Sequence, residues 1–256
     1  MRISSGLIGL GLLLGLGSTG PSEQASAQSG AADQPGDWAQ IQYSAEAPFA
    51  SELYTFYVQD AHAPPKPCRT VFIGSSSIRF WLSLRQDFPE LDPLNRGFGG
   101  SQISHAIGYF DRLLTPHMPK EIVFYSGEND LSAGLTPEQV LERFKVFMGL
   151  KTDRLGDAPV YFLSIKPSFA RLGQLSVQQE ANELFAGFAE TRDDLFFVDV
   201  SSPMMEESGV PMQIFISDQL HMDPNGYAIW TETLSPVMSN PERPVRSGCE
   251  IARSAP

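Results

Sequence analysis

Residues 70–81 read TVFIGSSSIRFW, and the fold turns on how the first five are taken. Val71, Phe72 and Ile73 run together without a polar break. A strand of that kind needs cover on both faces, the condition of a parallel sheet held between helical layers. Four further stretches support the same reading: EIVFYSG at 121–127, PVYFLSI at 159–165, LFFVDV at 195–200 and a weaker one at 94–97. Between them, PEQVLERFKVFMGLK at 137–151 sets Val140, Phe144 and Phe147 at helical spacing, SVQQEANELFAGFAE at 176–190 does the same, and residues 224–238 read as a closing helix. Strands alternating with helices predict an α/β protein, a three-layer α/β/α sandwich on a mostly parallel five-stranded sheet.

The flanks divide the chain further. Residues 1–27 carry Arg2, an apolar run of about a dozen residues and the small-residue pattern Ala25-Ser26-Ala27, so they read as a signal peptide. The run is shorter than the about 18 residues that span a bilayer, so no stable membrane insertion is expected after cleavage, and the product is periplasmic or secreted. Residues 28–67 form a lead-in that packs on the domain, its aromatic part as a helix or irregular segment. The domain proper covers 68–238. The tail, 239–256, lacks order unless Cys249 ties it down. Cys68 and Cys249 are the chain's two cysteines, and export would bring them into a compartment where they can bridge.

Eighteen Lys and Arg against 30 Asp and Glu give a net charge of −12. Phosphate backbones and anionic membrane surfaces need Lys and Arg to neutralise them. Nucleic acid is therefore excluded as a partner, and a neutral small-molecule or carbohydrate ester suits the charge better.

In parallel sheets the ligand crevice lies beyond the carboxyl ends of the strands. That rule selects Ser75, Ser76 and Ser77, then NRGFGGS at 95–101, GEND at 127–130, and DQLH at 218–221 before the closing helix. Ester hydrolysis needs a serine, a histidine to take its proton, a carboxylate to orient the imidazole, and preorganised donors for the oxyanion. Each part has a candidate. Each also has a plain structural use: serines cap helices, glycines serve turns, and Asn129 can close its own loop.

In order and separation these four blocks resemble those of the GDSL esterases, the SGNH hydrolases, from about Val71 to Tyr227. The resemblance implies a flavodoxin-like SGNH hydrolase fold and no metal or organic cofactor. It places the nucleophile two residues after Gly74, at Ser76, with Asp218 and His221 completing the triad. The oxyanion hole would be the NH groups of Ser76 and Gly100 and the side chain of Asn129. Ser75 stands where the family usually has aspartate. Ser77 is expected to cap a helix beginning at Ile78, whose dipole would favour negative charge at Ser76. Ser75, Met212 and Phe215 are candidates for a substrate pocket; Met204, Met205 and Ile214 belong to the same apolar loop, which could equally pack beneath itself. His105 is assigned to the surface, and His62 and His117 have no arguable partner.

The function expected is hydrolysis of acetyl or short-chain acyl esters, with lysophospholipase or thioesterase action as alternatives. Two readings from other classes stand beside it. One is a non-catalytic binding module for glycans or envelope components. The other is a metal-dependent hydrolase built on Asp130 and His221, which would be sensitive to chelators.

Overall fold

The computed structural model describes residues 47–250. The expected signal peptide, the first part of the lead-in and the last six residues lie outside them. Nine α-helices and five strands are described: α1 Ala50–His62, β1 Thr70–Gly74, α2 Ser76–Arg79, α3 Leu84–Asp87, β2 Leu94–Gly97, α4 Ile103–Gly108, α5 Phe110–Leu113, β3 Glu121–Tyr125, α6 Glu128–Ser132, α7 Pro137–Leu155, β4 Val160–Leu163, α8 Leu175–Ala189, β5 Leu195–Val198 and α9 Pro224–Met238. The strands form one parallel sheet in the order β2-β1-β3-β4-β5.

Side chains alternate between faces along each strand, so the unbroken apolar runs supply two cores. Val71, Ile73, Ile122, Phe124, Val160 and Phe162 face a cluster that includes Phe144 and Phe147 of α7 and Phe185 of α8. Phe72, Val123, Tyr125, Tyr161 and Leu163 face the other, around Trp81 and Trp230. Helix α7 begins with a reciprocal cap, in which the Gln139 NH donates to Thr136 Oγ1 and the Thr136 NH donates to Gln139 Oε1. Asp223 caps α9 by accepting from the NH groups of Asn225 and Gly226.

Three strands are shorter than their apolar runs. Past the end of β4 the Ser164 NH still donates to the Val198 carbonyl, and Ser164 Oγ accepts the NH groups of Val200 and Ser201. The aromatic lead-in is helical in α1, whose Leu53 joins the first core. Its far end is fixed by charge: Arg96 of β2, fully buried, donates to Gln59 and Asp60 and lies over the Phe56 ring. His117 corrects the sequence reading, since it is fully buried with Nε2 3.1 Å from Arg96 and 3.4 Å from Asp60. Burial and the neighbouring Arg96 hold its pKa down to about 4.

The tail meets the condition set for it. Cys68 and Cys249 are bonded, with Cα atoms 5.4 Å apart, Arg243 makes a buried pair with Glu121, and the Arg246 NH donates to the Lys120 carbonyl. Among the described residues no helix is long and apolar enough to cross a membrane. Reduction, or Cys249→Ser, opens a loop of 181 residues. Denaturant titration should show a loss of up to about 5 kcal/mol on the loop-closure model.

Candidate active site

Register brings the selected loops together. Gly74 pairs with Gly97 on one side and Tyr125 on the other, so the segments after β1, β2 and β3 leave the sheet side by side. Two hydrogen bonds continue the pairing one step past the strands: the Ser75 NH donates to the Tyr125 carbonyl and the Phe98 NH to the Gly74 carbonyl, both at 3.0 Å. A Cβ at Gly74 would lie 1.8 Å from the Tyr125 oxygen, and the residue has φ +149°. Only glycine fits there.

From this point the chain turns directly into α2, with Ser76 its first residue. Ser76 Oγ lies 2.8 Å from His221 Nε2, and His221 Nδ1 lies 2.6 Å from Asp218 Oδ2. Asp218 Oδ1 accepts the NH groups of Leu220 and His221, each at 2.9 Å. Gln219 makes this tight wrap possible by adopting φ +60°. Around it the loop is closed by the Phe215 and Met222 bridge and by the Ile216 NH donating to the His221 carbonyl. Burial tends to raise the Asp218 pKa, but the hydrogen bonds from the His221 ring and the two NH groups outweigh it and leave it at about 2. Phe80 meets the His221 ring edge to face at 4.9 Å while remaining 41% exposed.

Asn129 is held from both ends: its Nδ2 donates to the Ser101 carbonyl at 3.0 Å and its Oδ1 accepts from Arg171 at 3.0 Å. An amide nitrogen has two hydrogens, so one remains for a ligand. Gly100 has φ +75° with open space where a Cβ would be. Among the described residues the NH groups of Ser76 and Gly100 donate to no backbone acceptor.

Several expectations need correction. Ser77 does not cap a helix; it is buried inside α2, and Ser75 holds the cap position without a side-chain bond. The last ladder bond at Ser75 fixes where the helix starts, two residues earlier than the serine pattern indicates. Because α2 is only four residues long, few peptide dipoles align behind Ser76, and the dipole contribution falls accordingly. Ser75 is 2% exposed and offers a substrate no surface. Met204 and Ile214 are core residues, and Met212 and Phe215 pack partly buried against that core. His105 is half-buried rather than superficial, its Nδ1 accepting the Gln102 NH. Asp130, offered as a metal ligand, is fully buried and accepts from Arg143 and the Ile103 NH.

Arg79 of α2 and Gly97 border a groove of about 920 Å³ that runs beside α1 past Asp60 and Arg69; Ser76 and His221 do not line it.

No family model matches the sequence, and no curated protein matches it. Solved structures do. A GDSL-like lipase from Bacteroides thetaiotaomicron superposes with a TM-score of 0.62 at 18% identity, over 73% of this chain and 97% of that one. The chain has the SGNH hydrolase fold. Other chains with this fold include a carbohydrate esterase family 3 protein from Talaromyces cellulolyticus, at TM-score 0.56 and 14% identity over 67% and 96% of the two chains. An acetylxylan esterase from Geobacillus stearothermophilus matches at 0.53 and 12% identity over 75% and 99%.

Two charged residues of this SGNH fold, Lys166 and Arg171, lie outside the stretches the sequence selects, and Glu128, inside GEND at 127–130, is given no role there. Lys166 follows the carboxyl end of β4, a central strand. Applied there, the strand-end rule would have reached it.

The low pKa of Asp218 has a sign that can be checked. Its folded value lies below the ordinary range near about 4, so its contribution to stability is complete above about pH 4 and is lost as pH falls through about 2. Denaturation between pH 4 and 2 should therefore show the wild type losing stability more steeply than Asp218→Asn. The difference will be small, because the side chain is 43% exposed.

Proposed function

We propose that the protein is a serine esterase acting on carboxylic esters through an acyl-enzyme, with Ser76, His221 and Asp218 as its triad. The observation that carries this reading is the unbroken chain of short contacts from Asp218 through His221 to Ser76, 2.6 Å and 2.8 Å long. With Asp218 ionised, Nδ1 carries the imidazole proton and Nε2 is free to accept one. That is the tautomer a general base requires.

In the first step His221 Nε2 takes the hydroxyl proton while Ser76 Oγ bonds to the ester carbonyl carbon. Negative charge gathers on the carbonyl oxygen, where the NH groups of Ser76 and Gly100 and the free Asn129 hydrogen would receive it. The intermediate collapses, the C–O bond to the alcohol breaks, and His221 returns its proton to the leaving oxygen. Water then repeats the sequence on the acyl-enzyme, releasing the acid and restoring Ser76.

The substrates proposed are acetyl or other short-chain esters, including those of carbohydrates. Supporting this are the esterases with the same fold and a net charge of −12, which opposes anionic substrates. A lysophospholipid or a thioester would follow the same chemistry with a different leaving group. The bridge between Cys68 and Cys249 fits an oxidising compartment, in keeping with export to the periplasm or beyond. A purely binding role leaves the alignment of Asp218, His221 and Ser76 unexplained.

Hydrolysis of a chromogenic acetyl ester tests the reading. Ser76→Ala should lose activity by several orders of magnitude while Ser75→Ala and Ser77→Ala remain active, and Asn129→Ala should lower kcat by about 10²–10³. Equal rates in wild type and Ser76→Ala would overturn the mechanism.

A further inference from the structure

Behind the candidate triad lies a cluster of charge that the ester chemistry does not itself use. Lys166 is fully buried, and Glu128 nearly so. The Lys166 Nζ lies 3.3 Å from both carboxylate oxygens of Glu128, and the Tyr125 hydroxyl donates to Glu128 Oε2 at 2.7 Å. A third group reaches the same carboxylate: Arg171 Nε is 3.5 Å from Glu128 Oε1. Two cations and a phenol therefore converge on one buried anion.

Each cation also holds a part of the site. Lys166 Nζ donates to the Leu220 carbonyl at 2.8 Å, the peptide that joins Leu220 to His221. Arg171 donates through Nη1 to the Glu128 carbonyl at 3.1 Å and through Nη2 to Asn129 Oδ1 at 3.0 Å. The backbone repeats the link, since the Ala170 NH donates to the Gln219 carbonyl at 3.0 Å.

Resting on the esterase reading, we propose that Lys166 and Arg171 are positioning residues, joined through Glu128, that set the His221 base and the Asn129 oxyanion donor in fixed relation to each other. Arg171 locks the Asn129 amide plane so that its spare hydrogen points one way. It does this from the oxygen side, which also fixes which end of the amide faces the substrate. Lys166 stops the loop at 215–222 from sliding relative to β4. Both cations rest on the same carboxylate, so the base and the donor are referred to one buried anchor. A buried pair of this kind is expensive to desolvate and adds little net stability against an apolar replacement. Positioning accounts for its presence where stability does not.

The test is a double-substitution cycle on acetyl ester hydrolysis, with the proton spectrum of the free protein as a second readout. Arg171→Ala should lower kcat about tenfold with KM unchanged, less than loss of the donor itself, and should cost nothing further in an Asn129→Ala background. In Lys166→Met with Glu128→Gln, which removes the buried pair and leaves Arg171 on the Glu128 carbonyl and Asn129 Oδ1, the low-field resonance of the proton shared by His221 and Asp218 should be lost. In Arg171→Ala it should persist. Full multiplication of the Arg171 and Asn129 effects would overturn the proposal, as would persistence of both the resonance and kcat in the Lys166→Met, Glu128→Gln variant. Retained activity in Ser76→Ala would mark the failure of the esterase reading instead, and the spectrum, which needs no substrate, would still decide the positioning of His221. The Arg171 cycle leaves Lys166 and Glu128 in place, so it decides even if the Lys166→Met, Glu128→Gln variant does not fold.

Discussion

The approach of the Gly74 backbone to the Tyr125 carbonyl governs the carboxyl edge of the sheet. With no side chain at Gly74, β1 lies flush against β3 until its last residue, and the pairing extends to the Ser75 NH. The chain has one residue in which to leave the sheet, and it leaves into α2 with Ser76 first. Asn129 arrives from the neighbouring strand and Gly100 from the strand on the other side. Their nearness is a consequence of register, in which Gly74 pairs with Gly97 on one side and Tyr125 on the other.

The remaining half of the site comes from far along the chain and is fixed differently. Residues 215–222 have no place in the sheet. They are held by short-range hydrogen bonds, by the unusual backbone of Gln219, and by Lys166 reaching out from the end of β4. Helix α9 adds a further tie, since the Tyr227 hydroxyl donates to the Ser77 carbonyl at 2.9 Å. The closing helix therefore grips the turn that carries Ser76 while its preceding loop presents His221.

Much of this was legible in residue order because its causes are local. Unbroken apolar runs announce strands covered on both sides, and β1, β3, β4 and β5 stand where such runs do, while β2 stands at the weaker stretch 94–97. The groups at strand ends were legible for the same reason, once the carboxyl edge was known to be the place to look. Ser77 was misjudged because a capping preference is weaker than the ladder bond at Ser75 that fixes the start of α2. His117 and Arg96 were opaque: neither has a sequence neighbour that explains it, and their shared partner Asp60 lies on a helix packed from outside the sheet. Glu128, Lys166 and Arg171 form a cluster only after β3, β4 and the segment before α8 are assembled. Paired charges look like surface residues in a sequence, and only the fold shows that these are inside.

The bond between Cys68 and Cys249 also alters what a protease can do to this molecule. It closes residues 69–248 into a covalent ring that contains every described strand and every residue of the candidate site. One cut within that ring, including one in the exposed loop at 206–210, releases no fragment. The nicked ends stay tethered beside their native partners. Two cuts are needed before any piece can depart, so damage to a single exposed loop leaves the chain joined as one covalent body.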